Sequence, residues 1–303
     1  MNHVRDEDIV RLLAGAYDTH LHIEPDLIAR RTDDLSLARE FVALGWKGFV
    51  LKSHYFPTVE RAKVVSAAVP GVHVIGAVAL NHTCGGFNPV VVDVAGRAGA
   101  RVVWLPTVDA ANESPDRQAQ RGERHQPFWA KIQSEIRGKG FAPPPLSALD
   151  ETGQLRSEVR TCLEIVAEYD MVLATGHLAR HEIYAVVAAA REAGVRRVVV
   201  THALFPSEGL SVDDQVRLAE MGAYIEHCYT TFYTGKCSWE TLFAAVRAVG
   251  PDRTLLSSDL GQKTNPPVVE GLADFASRLI EAGFPREGVR RMMVDNPAQL
   301  VEV

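Results

Sequence analysis

Short apolar segments rich in β-branched residues recur along the chain and alternate with segments of helical periodicity. Eight apolar segments predict strands, at residues 16–23, 48–55, 73–80, 100–108, 171–178, 197–204, 223–230 and 254–261. Their nearly continuous apolar character is typical of parallel strands that are covered on both faces. The alternation therefore predicts a parallel sheet whose strands are connected by helices.

The segments between these strands predict amphipathic helices, among them "DDLSLAREFVALG", "TVERAKVVSAA", "SEVRTCLEIVAEYD", "EIYAVVAAAREAG", "VDDQVRLAEMG" and "SWETLFAAVRAVG". Several begin with Ser, Thr or Asp and end near Gly, as capped helices do. Eight successive βα units favour an α/β fold closed into a (β/α)8 TIM barrel over an open sheet. No G-x-G-x-x-G or P-loop motif follows a strand, which also disfavours an open nucleotide-binding sheet.

One long irregular segment, residues 109–156, separates the fourth and fifth predicted strands and is rich in charge, Pro and Gly. A segment that follows a strand lies at the C-terminal mouth of a barrel. We therefore expect this insertion to be a lid or an oligomer contact within a single barrel of residues 1–303, and not a second domain.

Composition narrows the class of protein. The chain is 47% hydrophobic and 23% charged with a formal net charge of −6, and no long run of one sign predicts nucleic-acid or membrane binding. The N-terminal residues lack the pattern of a secretory signal, and the scattered cysteines form no CxxC pair. We expect a reduced, cytoplasmic protein that binds a small molecule, and its sequence is compatible with a homodimer or higher homo-oligomer.

The stretch "YDTHLHI" places Asp18, His20 and His22 on alternate positions of the first strand. Side chains two residues apart on a strand share a face. Imidazole is a good ligand for divalent metal ions, although an HxH motif alone is equally compatible with hydrogen-bonded structural histidines.

Polar residues also end three other predicted strands. His177 ends the fifth strand in "ATGHLA", His202 the sixth in "VVTHAL" and Asp259 the eighth in "LSSDLG". Because the carboxyl ends of barrel strands converge on one mouth, these side chains and the two histidines of the first strand predict a common metal site.

With this order of motifs, from Tyr17 to Asp259, the sequence resembles the amidohydrolase superfamily, and also a little-described branch that carries a domain of unknown function. The resemblance implies a (β/α)8 barrel in which His20, His22 and Asp259 bind a divalent metal ion, zinc before manganese, iron or nickel. It also implies that His177 and His202 bind a second ion or, with one ion, divide between ligand and substrate contact.

The sequence departs from that family at the fourth strand. Two-metal members commonly supply a bridging carboxylated Lys or a Glu there, whereas this strand ends "VVWLPTVDAAN". The second strand instead ends "LKSHYF", with Lys52 and His54 on one face. Lys52 could form a bridging carbamate, or remain an ammonium that pairs with an acid or a substrate anion, so one or two metal ions are both compatible with the sequence.

Three further residues are candidate substrate contacts. His54 follows the second strand, His227 ends the seventh, and Arg180 lies just after His177. Arg180 and Lys52 could hold a substrate carboxylate. The alternation rule places Cys228 on the opposite face from His227, as a packing residue.

These residues predict a metal-dependent hydrolase. The metal would activate a water, Asp259 would accept its proton, and His202 or the metal would polarise the substrate carbonyl. The expected substrate is an amide, cyclic amide or lactone/ester of a small molecule, which can be acidic. The alternatives are a one-metal decarboxylase of an unsaturated or aromatic acid, a PHP-like phosphoesterase suggested by "KSH", and a non-catalytic metal- or ligand-binding barrel.

Overall fold

The computed structural model describes residues 6–120 and 127–302. It contains eight barrel strands: β1 (Tyr17–Leu21), β2 (Gly48–Leu51), β3 in two segments (His73–Ile75 and Ala77–Ala79), β4 (Val102–Trp104), β5 (Val172–Ala174), β6 (Arg197–Val200), β7 (Tyr224–Cys228) and β8 (Thr254–Ser257). Each lies within the segment predicted for it, and the (β/α)8 fold is confirmed.

All strand pairs are parallel, and neighbours in the sheet are neighbours in the chain. The third strand is interrupted at Gly76, where its first segment pairs with β2 and its second with β4. A Cβ atom at Gly76 would lie 2.4 Å from the Cα of Val59. The glycine therefore lets the start of the preceding helix, at Val59, pack directly on the bend.

The barrel closes between its first and last strands. Leu21 and Leu260 form a parallel bridge, and the backbone N of His22 donates to the carbonyl of Leu260 at 2.8 Å. The backbone N of Asp259 donates to the carbonyl of His20 at 2.6 Å. Gly261, with φ of +131°, passes so close to His22 that a Cβ atom there would overlap its carbonyl oxygen. This junction between β1 and the segment after β8, the seam of the barrel, therefore contains the predicted metal ligands His20, His22 and Asp259.

The helices surround the sheet: α1 (Glu7–Leu12), α2 (Asp34–Ala43), α3 (Val59–Ala68), α4 (Pro89–Ala98), α5 (Pro115–Gln120), α6 (Ala130–Gly138), α7 (Ser157–Glu168), α8 (Arg180–Glu192), α9 (Val212–Glu220), α10 (Tyr229–Tyr233), α11 (Trp239–Val249), α12 (Val268–Glu281), α13 (Arg286–Arg290), a π-helical turn (Arg291–Asp295) and α14 (Asn296–Val301). All six predicted helices are present. In the part of the chain that the structure describes, none is long and apolar enough to cross a bilayer.

Apolar side chains fill the lower half of the barrel. Trp104, Val172 and Leu255 pack inside it with Leu300 and Val301 of the C-terminal helix, which close this end. Two larger apolar clusters lie between the sheet and the surrounding helices. The predicted site histidines and Asp259 lie instead at or after the C-terminal ends of the strands.

The insertion carries α5 and α6 at that end, and its residues 121–126 lie outside the described part of the chain. Pro127, Phe128 and Trp129, just before α6, line a cavity over the strand ends. Its predicted role as a lid or an oligomer contact stays a prediction. The four cysteines are free thiols.

Candidate metal centre

Five histidine side chains form a closed ring at the C-terminal end of the barrel. His20 and His22 come from β1, His54 follows β2, His177 follows β5 and His202 follows β6. Going round the ring in that order, the centroids of neighbouring imidazoles are 5.9, 4.7, 6.1, 4.9 and 5.7 Å apart. All five side chains are buried. The structure thus brings together the four predicted histidine ligands and the predicted substrate contact His54.

Asp259 and Lys52 lie at the same place. Asp259 Oδ1 is 3.4 Å from His20 Nε2 and 3.3 Å from His22 Nε2. One ligand atom from each of these three residues lies within 4.8 Å of the others. The Nζ atom of Lys52 is 2.7 Å from His20 Nε2. Four of the six predicted metal-ligating residues, His20, His22, Asp259 and Lys52, therefore lie together.

Two of these residues have unusual backbone conformations. His202 has φ of 28° and Asp259 has φ of 49°, in the left-handed region that non-glycine residues seldom adopt. The pairing of β1 with β2 also shifts register between Asp18 and Leu21, around His20. Such irregularities concentrate at functional sites, where they direct side chains that regular strands would not.

Three buried glutamates stand behind three of the histidines. The Nδ1 atoms of His20, His177 and His202 lie 3.0, 3.2 and 3.4 Å from carboxylate oxygens. The carboxylates belong, in that order, to Glu226, Glu113 and Glu208. A histidine that ligates a metal usually donates its other N–H to such a carboxylate, which fixes the tautomer and leaves Nε2 as the ligand atom.

Burial controls the protonation of the ring. It lowers the pKa of His177, lowers the pKa of His22 and His54 well below the ordinary value, and brings the pKa of His202 to about 4. These imidazoles are neutral near pH 7, which is the form that binds metals.

The acidic and basic partners are shifted as well. Burial raises the pKa of Asp259, but its electrostatic interaction with His20 and its hydrogen bond with His22 outweigh that effect and lower the pKa well below the usual value. Burial lowers the pKa of Lys52. Asp259 is therefore a carboxylate at neutral pH, and the amine form of Lys52 is more accessible than that of a surface lysine.

The mouth of the cavity is lined by further residues, besides the predicted ligands. The buried Arg30 pairs with Asp26 at 2.6 Å, and Lys236 Nζ lies 3.9 Å from the ring centre of Phe205. The insertion contributes Trp129 to the same wall. The cavity encloses about 80 Å³, which suits a small substrate group.

The prediction that His227 contacts substrate is wrong. Its ring is buried against Phe232, with centroids 6.4 Å apart, and it does not line the cavity. Its neighbours on β7 face the centre instead, because Glu226 and Cys228 both approach Nδ1 of His20. Because successive side chains of a strand point to opposite faces, assigning the wrong face to one residue reverses the assignment of all its neighbours.

The prediction that Arg180 holds a substrate carboxylate is also wrong. Arg180 begins α8 and makes two hydrogen bonds to Asp214, of 2.8 and 2.6 Å. Its side chain is 53% exposed and does not line the cavity.

Asp18 shares a strand with the histidines but has a different environment. It accepts hydrogen bonds from the backbone N and Oγ of Ser258 and from the backbone N of His20. It thereby ties β1 to the segment after β8, and it supports the seam of the barrel.

Sequence patterns also missed the three glutamates. Glu226 lies within a predicted strand, and Glu208 follows His202 by six positions, so both carried a weak signal. Glu113 lies in the insertion, and nothing in the sequence relates it to His177.

Solved structures show the same architecture. An amidohydrolase from Pseudomonas aeruginosa superposes with a TM-score of 0.63 at 10% identity, covering 97% of this chain and 98% of that one. The probable dipeptidase PvdM from Pseudomonas aeruginosa gives 0.66 at 11% identity, with 98% and 97% covered. Organophosphorus hydrolase from Deinococcus radiodurans gives 0.58 at 15% identity, with 95% and 92% covered. The chain therefore has the same barrel fold as these three hydrolase structures.

A family model narrows the relationship further. It matches residues 15–226 and is described as a family of unknown function, DUF6282. The chain belongs to this family. A search of curated proteins gave no match.

Proposed function

We propose that this protein is a metal-dependent hydrolase that cleaves an amide, cyclic amide or lactone/ester bond of a small molecule. The observation that carries the proposal is the ring of five buried imidazoles beside Asp259, three of them backed by carboxylates. Amidohydrolase, dipeptidase and organophosphorus hydrolase structures share the fold, which agrees with hydrolysis.

The donor set fits a divalent metal ion. Neutral imidazoles with one carboxylate suit zinc, and also manganese, iron or nickel. His20, His22 and Asp259 would hold one ion, and His177 and His202 would provide ligands for a second. Structural zinc sites are commonly closed by cysteine thiolates, whereas here the thiol of Cys228 lies on the Nδ1 side of His20, away from Nε2. This favours a catalytic site over a structural one.

When bound, the metal ion supplies Lewis acidity and lowers the pKa of a coordinated water. Asp259 is ionised and in contact with both histidines of β1, so it accepts the proton of the attacking water and passes it to the leaving group. His202 and His54 lie on opposite sides of His177 in the ring. They would flank the carbonyl of a bound substrate.

Lys52 decides how many ions the centre holds. As an ammonium it donates to Nε2 of His20, and an ion held by His20 would replace that hydrogen bond. As an amine it can react with carbon dioxide, losing a proton and forming a carbamate that supplies two ligand oxygens. Two metal ions per chain would indicate the carbamate, and one ion would indicate the ammonium.

The mouth favours a substrate with an acidic group. Lys236 places an ammonium beside the cavity, Arg30 lines it while paired with Asp26, and Phe205 and Trp129 offer apolar surface for the rest of the molecule. A small carboxylic acid that bears an amide or ester bond fits this arrangement.

The test combines elemental analysis of the purified protein with turnover assays. The metal-loaded protein is offered N-acyl amino acids, cyclic imides, lactones and aryl esters, beside His20→Ala and a control, His181→Ala, which alters an exposed histidine. We expect hydrolysis in the wild type and control only. A protein without divalent metal, or without turnover of any of these bonds, contradicts the proposal. Release of carbon dioxide or of phosphate would indicate the decarboxylase or the phosphoesterase instead.

A further inference from the structure

The first turn of the insertion contacts His177, a histidine of the ring, at two points. Asn112 Nδ2 donates to the backbone carbonyl of His177 at 3.2 Å, and Glu113 Oε1 lies 3.2 Å from its Nδ1 atom. Asn112 and Glu113 are buried, at 8% and 5% exposure. Both the backbone and the ring of His177 are thus held by one short segment, Ala111–Glu113.

The same turn reaches the neighbouring histidine loop. Asn112 Nδ2 also donates to the carbonyl of Ser207 at 2.7 Å. Ser207 Oγ donates to Oε2 of Glu208 at 3.0 Å, and Glu208 Oε1 lies 3.4 Å from Nδ1 of His202. Asn112 therefore links the loops after β5 and β6, which carry the two histidines of the second half of the ring.

The turn is itself anchored within the insertion. Ala111 N donates to the carbonyl of Leu146 at 2.7 Å, and Leu146 N donates to the carbonyl of Asp109 at 2.8 Å. Gln118 Nε2 donates to the carbonyl oxygen of Glu113 at 3.1 Å. The two ends of the insertion thus hold the turn in place against the barrel.

We propose that Asn112 and Glu113 are positioning residues, through which the insertion sets the orientation and tautomer of His177 and couples its loop to that of His202. The inference rests on the proposed metal-dependent function. It assigns the insertion a part in building the metal centre, in addition to any role in covering it. Partners of this kind typically change metal affinity when they are replaced.

The test measures metal binding and not turnover. Zinc affinity is determined by chelator competition for the wild type, Glu113→Gln, Glu113→Ala and Asn112→Ala, with Glu135→Gln as the matched control. Glu135 lies exposed on α6 of the same insertion. We expect the first three variants to lose roughly 10- to 100-fold in zinc affinity and the control to retain it. Wild-type affinity in both Glu113 variants would overturn the proposal.

A second readout separates this inference from the proposed function. Imidazole ¹⁵N shifts of His177 report its tautomer in the metal-free protein, and we expect the Nδ1–H form in the wild type and a mixture in Glu113→Ala. If the tautomer of His177 were the same in the wild type and Glu113→Ala, the positioning role would be overturned. A wild type that bound no metal would contradict the hydrolase proposal alone, because the tautomer is measured in the metal-free protein. If Glu113→Ala fails to fold, Glu113→Gln, which keeps the size of the side chain, carries the comparison.

Discussion

Glu226 holds His20 from inside the barrel, with Oε2 3.0 Å from Nδ1 of the imidazole. The same oxygen accepts from the backbone N of His202 at 3.2 Å, and Ser257 Oγ donates to Oε1 at 2.8 Å. Burial raises the pKa of Glu226, but its electrostatic interaction and its hydrogen bond with His20 outweigh that effect and lower the pKa to about 2. One buried carboxylate therefore orients two candidate ligands from different strands.

Glu226→Gln should weaken metal binding roughly 10- to 100-fold, because the neutral amide accepts a weaker hydrogen bond from Nδ1 of His20. Chelator competition measures the change. Glu220→Gln, on the exposed surface of α9, serves as the control and should bind metal as the wild type does. Equal affinities for the two variants would show that Glu226 does not support the metal centre.

Asp259→Asn should reduce kcat by about 10²- to 10⁴-fold, the usual contribution of a positioned general base. The amide cannot accept the proton of the attacking water. Steady-state kinetics on the best substrate, at saturating metal, checks this expectation. The exposed Asp252→Asn is the control. Wild-type turnover by a metal-loaded Asp259→Asn protein would remove Asp259 from the mechanism.

Removal of the metal should destabilise the protein. An ion that binds only the folded state adds about 2.7 kcal/mol to the free energy of unfolding at 100 times its Kd. Thermal denaturation should therefore show a Tm several degrees lower after chelation, recovered on adding zinc. His20→Ala should abolish this metal-dependent shift and His181→Ala should keep it. A wild-type Tm that ignores both chelator and zinc would contradict a resident metal ion.

Acid should weaken the contact between α8 and α9. The hydrogen bonds from Arg180 lower the pKa of Asp214 well below its usual value, and Ser211 and Tyr184 contribute further. Because the folded pKa is depressed below an unfolded value of about 3.9, this stabilisation is complete above that pH and is lost as the pH falls through the folded pKa.

Asp214→Asn should accordingly lower the free energy of unfolding by about 1 to 2 kcal/mol at pH 7, with a smaller difference near pH 3. Urea denaturation at the two pH values measures both quantities. Asp213→Asn, at an exposed neighbouring position, is the control. A difference between wild type and Asp214→Asn that does not shrink in acid would contradict the assigned ion pair.

The fold could be predicted because each strand has its own apolar signal and the order of strands in a parallel barrel follows the chain. The proximity of His20, His22, His177, His202 and Asp259 could be predicted because strand ends converge at one mouth, whereas their roles as metal ligands stay a prediction. Residues off the strands obey no such rule, and the contact between Glu113 and His177 depends on how the insertion folds back.

The two wrong predictions, His227 and Arg180, concern the direction in which a side chain points. A histidine at a strand end suggests an inward-pointing side chain, but on β7 it is Glu226 that points to the centre of the barrel and His227 that points away. Arg180 was placed in the site by its nearness to His177 in sequence, whereas the start of α8 directs it to Asp214. Nearness to a ligand in the sequence does not determine whether a side chain points into the cavity or towards a neighbouring helix.

The contacts that join Asp18 to Ser258 and Asp259 to His20 have a consequence for engineering. The same few residues close the barrel and form the candidate metal centre, so a change that weakens the closure also disturbs the centre. New chain ends or grafted loops should be tolerated between other neighbouring strands far better than at this junction, where any loosening would scatter the ligands at once.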